Sequence, residues 1–211
     1  MPLSSLPEEL LREILLYCFY IPPEQFFDFP VPRWATYLTP KVKPLKLSQL
    51  LLVSKQWLRV GTPLLYSSLR LTQTTHTKAV AALVKANPNL GKAIRSLKLE
   101  GGYGNDLFTI VKLAPNITNL YVNLEILSSE SIVGLRKSLP LMRPTNVWLR
   151  HFEYGRVNKK VTELRTILMP LVREKWNTMV SAFTLSLQTR LTRISSSRNL
   201  CICPSGLRWQ T

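Results

Sequence analysis

Apolar residues recur with helical spacing from close to the start of the chain. Leu10, Leu11, Ile14, Leu15 and Cys18 fall at i, i+1, i+4, i+5 and i+8, one stripe on a helix of about three turns. Its start is signalled several times. Ser5 with Glu8 three residues later has the form of a capping box, and Pro7 suits a first turn. Glu8 and Glu9 stand where the helix dipole favours anions, and Pro22-Pro23 predicts the end. Between residues 22 and 47 six prolines interleave with Phe26, Phe27, Phe29 and Trp34. That pattern reads as a surface loop whose aromatics pack back onto a core rather than hold a ligand. Leu50, Leu51, Val53, Trp57 and Leu58 then predict a second helix from Leu47 to Val60, with Ser48 as N-cap and Gly61 as C-cap. A new element starts at Thr62-Pro63-Leu64-Leu65-Tyr66.

Beyond residue 66 the pattern changes. Four triplets alternate apolar, any residue, apolar: Leu69-Arg70-Leu71, Leu97-Lys98-Leu99, Leu120-Tyr121-Val122 and Val147-Trp148-Leu149, spaced by 28, 23 and 27 residues. Asn87-Pro88-Asn89-Leu90, Ala114-Pro115-Asn116-Ile117 and Leu139-Pro140 recur upstream of the last three. Helical patterns lie between: Val80, Leu83 and Val84; Leu107, Phe108, Val111 and Leu113; Ile132, Val133, Leu135 and Leu139, with Ser128 or Ser129 as cap. A strand-plus-helix unit of 23 to 28 residues lies in the leucine-rich-repeat range. The expected fold class is therefore α/β: a short N-terminal helical unit, then an irregular leucine-rich-repeat-like strand/helix array over 67–150. An ordinary α/β arrangement competes with it, because the stereotyped Asn of regular repeats is missing. In a stacked array the triplets' outer residues turn inward, and Arg70, Lys98, Tyr121 and Trp148 point outward on the sheet face. Tyr and Trp are types enriched at binding hot spots, which makes these four the candidate substrate-face residues; a merely solvated face is the alternative.

Residues 151–187 read as an irregular continuation. Val161, Leu164, Ile167, Leu168, Leu171, Val172 and Trp176 predict a helix from Lys159 to Val180, kinked at Pro170, and Phe183-Thr184-Leu185 suggests another strand. From Gln188 to Thr211 the chain is basic and rich in Ser and Thr, and a poorly ordered tail is expected. A repeat array normally continues or ends in a cap, so the pattern suggests a truncated or mis-spliced relative of a longer protein.

The chain has 211 residues with a formal charge of +16, from 28 Lys and Arg against 12 Asp and Glu. Such an excess raises an anionic partner, nucleic acid or a membrane surface. Its distribution weakens that pointer. Residues 1–30 carry one basic and five acidic side chains, whereas residues 31–60 carry six basic and none acidic. The basic residues follow no known nucleic-acid motif with interleaved aromatics, so nucleic acid is the lesser alternative. An N-terminus with Glu8, Glu9 and Glu13 and no basic region is unlike a secretory signal. No uncharged apolar run reaches the ~18 residues of a membrane span. Three cysteines argue against a disulfide scaffold. The expectation is a soluble cytoplasmic or nuclear protein without a membrane partner.

Catalytic, metal and cofactor chemistry find no support. Gly101, Gly102 and Gly104 follow a strand, but Leu107 stands where a dinucleotide fingerprint needs its third glycine, and no Gly-Lys-Ser/Thr follows. They read as a turn. His76 and His151 lie far apart, and Cys201-Ile202-Cys203 supplies too few ligands for zinc.

The N-terminal residues resemble an F-box, of the type abundant in fungi. The ordered set is Leu6-Pro7, Glu9-Leu10, Ile14-Leu15, then Leu51-Leu52-Val53-Ser54-Lys55, Trp57, and Pro63-Leu64-Leu65-Tyr66. Residues 1–66 would form this unit, departing from the family in the insertion 22–47. The resemblance implies a unit that docks on the Skp adaptor and through it a cullin, within a ubiquitin ligase. Leu6, Pro7, Leu10, Leu11, Ile14, Leu15, Leu51, Val53, Trp57 and Leu65 would be the adaptor-binding residues. The repeat face would hold an unknown protein substrate, and the chain itself would not be an enzyme. The alternatives are a basic nucleic-acid-binding module and an interaction scaffold outside the ligase.

Overall fold

A computed structural model describes residues 6–22, 26, 47–152, 158–176, 179–185 and 201–202. Most of the insertion 22–47 and most of the tail from Gln188 lie outside the described residues. The chain divides into two compact units, Met1–Ser68 and Leu69–Thr211.

The first unit is helical. Helix α1 spans Glu8–Phe19 and follows Pro7, whose carbonyl accepts from the Leu11 N–H at 3.0 Å. Glu8 is thus the first helical residue, not the third that a capping box requires; Ser5 lies outside the described residues. Glu8 instead pairs with Arg59, and the Gln56 side chain donates to the Leu6 carbonyl at 3.0 Å. The expected helix 47–60 is two elements, a 3-10 helix Leu47–Leu52 and α2, Lys55–Leu65. Ser54 separates them, because its side-chain oxygen accepts the Trp57 N–H at 3.2 Å and caps α2. Ser48 therefore lies inside the 3-10 helix rather than ahead of a helix. Gly61 is interior to α2 rather than its C-cap. A Cβ there would overlap the Leu51 side chain and sit 3.2 Å from Leu15 Cδ1, so the glycine lets α2 close onto α1. The core is Leu11, Leu15, Phe19 and Leu51, with Trp57, Val60, Leu64 and Leu65 packed against it.

The second unit is α/β. Its strands are β1 (Ser68–Leu71), β2 (Ser96–Leu99), β3 (Asn119–Asn123), β4 (Asn146–Phe152), β5 (Met179–Leu185) and β6 (Cys201–Ile202). They lie in chain order across one sheet. Strands β2 to β5 pair in parallel, and β6 runs antiparallel on β5. Helices α3 (Thr74–Ala86) and α4 (Pro88–Ala93) join β1 to β2, and α5 (Asn105–Leu113) joins β2 to β3. Helix α6 (Val133–Ser138) with a 3-10 turn Leu139–Leu141 precedes β4, and α7 (Lys159–Pro170) precedes β5. The helix expected to reach Val180 stops at Pro170, where a π-turn Leu171–Lys175 leads out and Met179 already belongs to β5.

Each of the four triplets lies in a strand. Register places Leu97, Leu120 and Val147 in one row, and Lys98, Tyr121 and Trp148 in the next. The same hydrogen bonds recur one strand apart. The Arg95 carbonyl accepts from the Thr118 and Asn119 N–H groups at 2.8 and 3.0 Å, and the Thr118 carbonyl accepts from Thr145 and Asn146 at 2.8 and 3.0 Å. An amide ladder follows, with Asn146 Nδ2 donating to Asn119 Oδ1 at 2.8 Å and Asn119 Nδ2 to Ser96 Oγ at 3.0 Å. These bonds satisfy backbone and amide groups where each chain segment enters the sheet, and so fix the register.

Candidate docking site

Helix α1 carries two apolar stripes. Leu11, Leu15 and Phe19, at i, i+4 and i+8, face the unit's own core. Leu10, Ile14 and Tyr17, at i, i+4 and i+7, share another face and are 54%, 45% and 87% exposed. Tyr20 and Ile21, just past the helix end, are exposed as well, as are Leu52, Val53 and Leu58 elsewhere in the unit. Helices usually bury their apolar residues on one side and present charge on the other. Here the apolar arc is too wide for one core contact.

This arrangement divides the ten residues expected to dock a partner. Leu10, Ile14, Val53 and Pro7 are exposed and available. Leu11, Leu15 and Leu51 are buried in the core and cannot touch a partner, a correction that follows from their place between the helices. Trp57 and Leu65 are half-buried against that core, and Leu6 is half-buried. Tyr17, Leu52 and Leu58 are further exposed apolar residues of this unit that the sequence pattern does not mark as docking candidates. The readable signal for Tyr17 was its i+3 spacing from Ile14, which the choice of Cys18 as the next stripe member concealed; Cys18 is an exposed free thiol.

In the α/β unit the expected outward row is not a solvated face. Arg70 is exposed at the sheet edge and Trp148 is half-buried, but Lys98 and Tyr121 are buried, at 4% and 0% exposure. Both faces of β2 and β3 are covered, as is usual for parallel strands, which removes these two from any docking surface. They belong to a charged network. Arg70 Nε donates to Glu100 Oε2 at 2.7 Å, Lys98 Nζ lies 3.5 Å from Glu100 Oε1 and 4.9 Å from the Tyr121 ring centre, and Arg150 Nε lies 3.6 Å from Glu125 Oε1. Burial holds the Lys98 ammonium below its usual range against the attraction of Glu100, and raises the Glu125 carboxyl against Arg150. Burial also raises the Tyr121 phenol, while the positive charge of Arg150 works the other way.

The glycine-rich turn serves packing. Gly102 has φ +69°, and a Cβ on Gly101 or Gly102 would collide with Thr72, Gln73 or Thr77 of the preceding connection. A Cβ on Gly134 would in turn collide with the Gly104 backbone. Tyr103, between them, is buried and donates to the Asn123 carbonyl at 2.7 Å. His76 is exposed, with Nδ1 3.0 Å from Thr72 Oγ1. Among the described residues no group of three His, Cys, Asp or Glu could hold a metal ion, and no helix is long and apolar enough to cross a membrane.

Compared with known proteins, the chain matches no family model, no curated protein and no solved structure.

Proposed function

We propose that the chain is an F-box-like substrate receptor of a Skp–cullin–F-box ubiquitin ligase. The helices of residues 6–66 would dock the Skp adaptor, and the α/β unit, read as a degenerate leucine-rich-repeat array, would hold a target protein in the cytoplasm or nucleus. The observation that carries this reading is the second apolar stripe of α1, Leu10, Ile14 and Tyr17, left exposed beside a core that is already complete without it. Exposed large apolar side chains grouped on one small helical unit mark an interaction surface. The ordered motif residues supply the identity of the partner. The chain would catalyse nothing and would act by raising the local concentration of its target at the ligase.

Purified Skp adaptor and the full chain should co-elute on size exclusion. A variant with Leu10→Asp and Ile14→Asp should fold, because both positions are exposed, and should lose the adaptor. Failure of the unmutated chain to bind the adaptor refutes the assignment.

A further inference from the structure

The α/β unit distributes its charges unevenly between its two rims. Strands β2 to β5 are parallel, so Ser96, Asn119, Asn146 and Met179 begin them in one row. The connections that enter these strands are stitched side by side. Asn116 Nδ2 donates to the Lys92 carbonyl at 2.7 Å, Thr118 and Thr145 repeat the bonds described above, and Trp176 Nε1 donates to the Met142 carbonyl at 2.8 Å. Lys175 Nζ donates to the Pro140 carbonyl. On this rim Lys92, Arg95, Lys112, Lys137, Arg143 and Lys175 are all exposed. No Asp or Glu occurs in residues 84–96, 111–119 or 134–146, which enter β2, β3 and β4; the segment entering β5 carries Glu174 beside Lys175, and among the described residues none of the six cations is in an ion pair. The acids Glu100, Asp106, Glu125 and Glu130 gather instead at the rim where strands end, and Glu100 and Glu125 are paired there.

Three of the six cations have an ordinary explanation. Lys92, Lys112 and Lys137 occupy last turns of α4, α5 and α6, where a cation complements the helix dipole. Arg95 and Arg143 lie outside any helix, next to β2 and β4, and the dipole does not account for them.

We propose that this strand-start rim binds an acidic peptide segment; taking that segment as part of the ubiquitination target rests on the receptor reading above. The geometry favours a peptide. Four strand starts at about 4.8 Å spacing make a rim on the order of 15 Å long, which matches four or five residues of extended chain at ~3.3–3.6 Å each. The three acid-free segments carry no aromatic side chain, and Trp176 is buried, so single-stranded nucleic acid lacks the stacking platform it normally uses. A duplex presents charge on two strands around a cylinder, of which a single line of cations meets one side.

The test uses the full chain, a fluorescein-labelled ten-residue Glu/Asp peptide, and labelled single-stranded and duplex DNA, read by anisotropy at 0.15 M salt. The rim variant is Arg95→Glu, Lys112→Glu and Arg143→Glu together. The control, Lys78→Glu, Lys159→Glu and Arg165→Glu, makes the same charge change at exposed positions off the rim. Peptide affinity should fall about tenfold or more in the rim variant and about twofold or less in the control. Equal losses in both variants overturn the site. Tighter rim-dependent binding of either DNA overturns the peptide assignment. Adaptor co-elution separates the two claims: the rim variant retains it if both hold, whereas loss of adaptor binding by the unmutated chain with rim-dependent peptide binding intact sinks only the receptor reading.

Discussion

The two stripes of α1 should separate stability from docking. Leu15 is fully buried between α1, the 3-10 helix and α2, whereas Leu10, on the next face of the same helix, is 54% exposed. Leu15→Ala removes a core side chain and leaves a cavity, a change that costs ~2–5 kcal/mol. Among the described residues four side chains are buried in that core, so such a loss should melt the N-terminal helices. Leu10→Ala should change stability by about 0.5 kcal/mol or less, because half of the side chain is already in water. On the proposed receptor reading its effect falls on binding. Covering the exposed half of a Leu is worth roughly half of 1.5–3 kcal/mol, which weakens the adaptor complex about four- to twelvefold. Urea unfolding followed by far-UV circular dichroism gives the first quantity, and calorimetric titration with the adaptor gives the second. If Leu10→Ala unfolds the unit as readily as Leu15→Ala, or leaves adaptor affinity unchanged, the division of the helix into an inner and an outer stripe is wrong.

Three further outcomes follow from the packing and the charged network. Gly61→Val should lower the urea midpoint of the helical unit by ~1–3 kcal/mol equivalent, since its branches would press on Leu51 and Leu15; an unchanged midpoint would show that α2 can move aside. Glu100→Gln should destabilise the α/β unit more than Lys98→Met, because the first leaves the buried ammonium beside Arg70 without its carboxylate, while the second leaves Glu100 still bonded to Arg70; thermal melts that rank them in reverse refute the network. Burial raises the Tyr103 phenol well above 10.0, so above that pH an unfolded chain loses its proton first and stability should decline; Tyr103→Phe should flatten this alkaline decline, and pH-dependent melts of the two proteins decide it.

The apolar triplets were enough to locate β1 to β4, because alternation at fixed spacing is a direct imprint of strands that each bury a row of side chains. The breaks between elements were less legible. The helix expected over 47–60 splits at Ser54 because a short-range side-chain bond to Trp57 outweighs the continuing apolar pattern. Gly61 reads as a terminator in isolation, and its actual role, permitting close approach to Leu51, exists only once the two elements meet. The candidate docking residues show the same limit. Periodicity identified an apolar arc on α1, but which half of it faces the core depends on where the 3-10 helix and α2 lie. Strand alternation places Lys98 and Tyr121 on an outward sheet face. Burial on both faces of the sheet reverses that, with Glu100 compensating the lysine.

The recurrence of one hydrogen-bond set at Arg95, Thr118 and Thr145 makes the sheet a structure that can change length in whole steps. Asn119 and Asn146 are register partners, and the residue before each occupies the same bonding position on its neighbour. Excising residues 119–145 would join Thr118 to Asn146, leaving the Arg95 carbonyl facing the same kind of donors as before. A family built on such a sheet can gain or lose 23- to 27-residue segments without rethreading its chain, and its members can differ greatly in length while keeping the same edge-to-edge bonding.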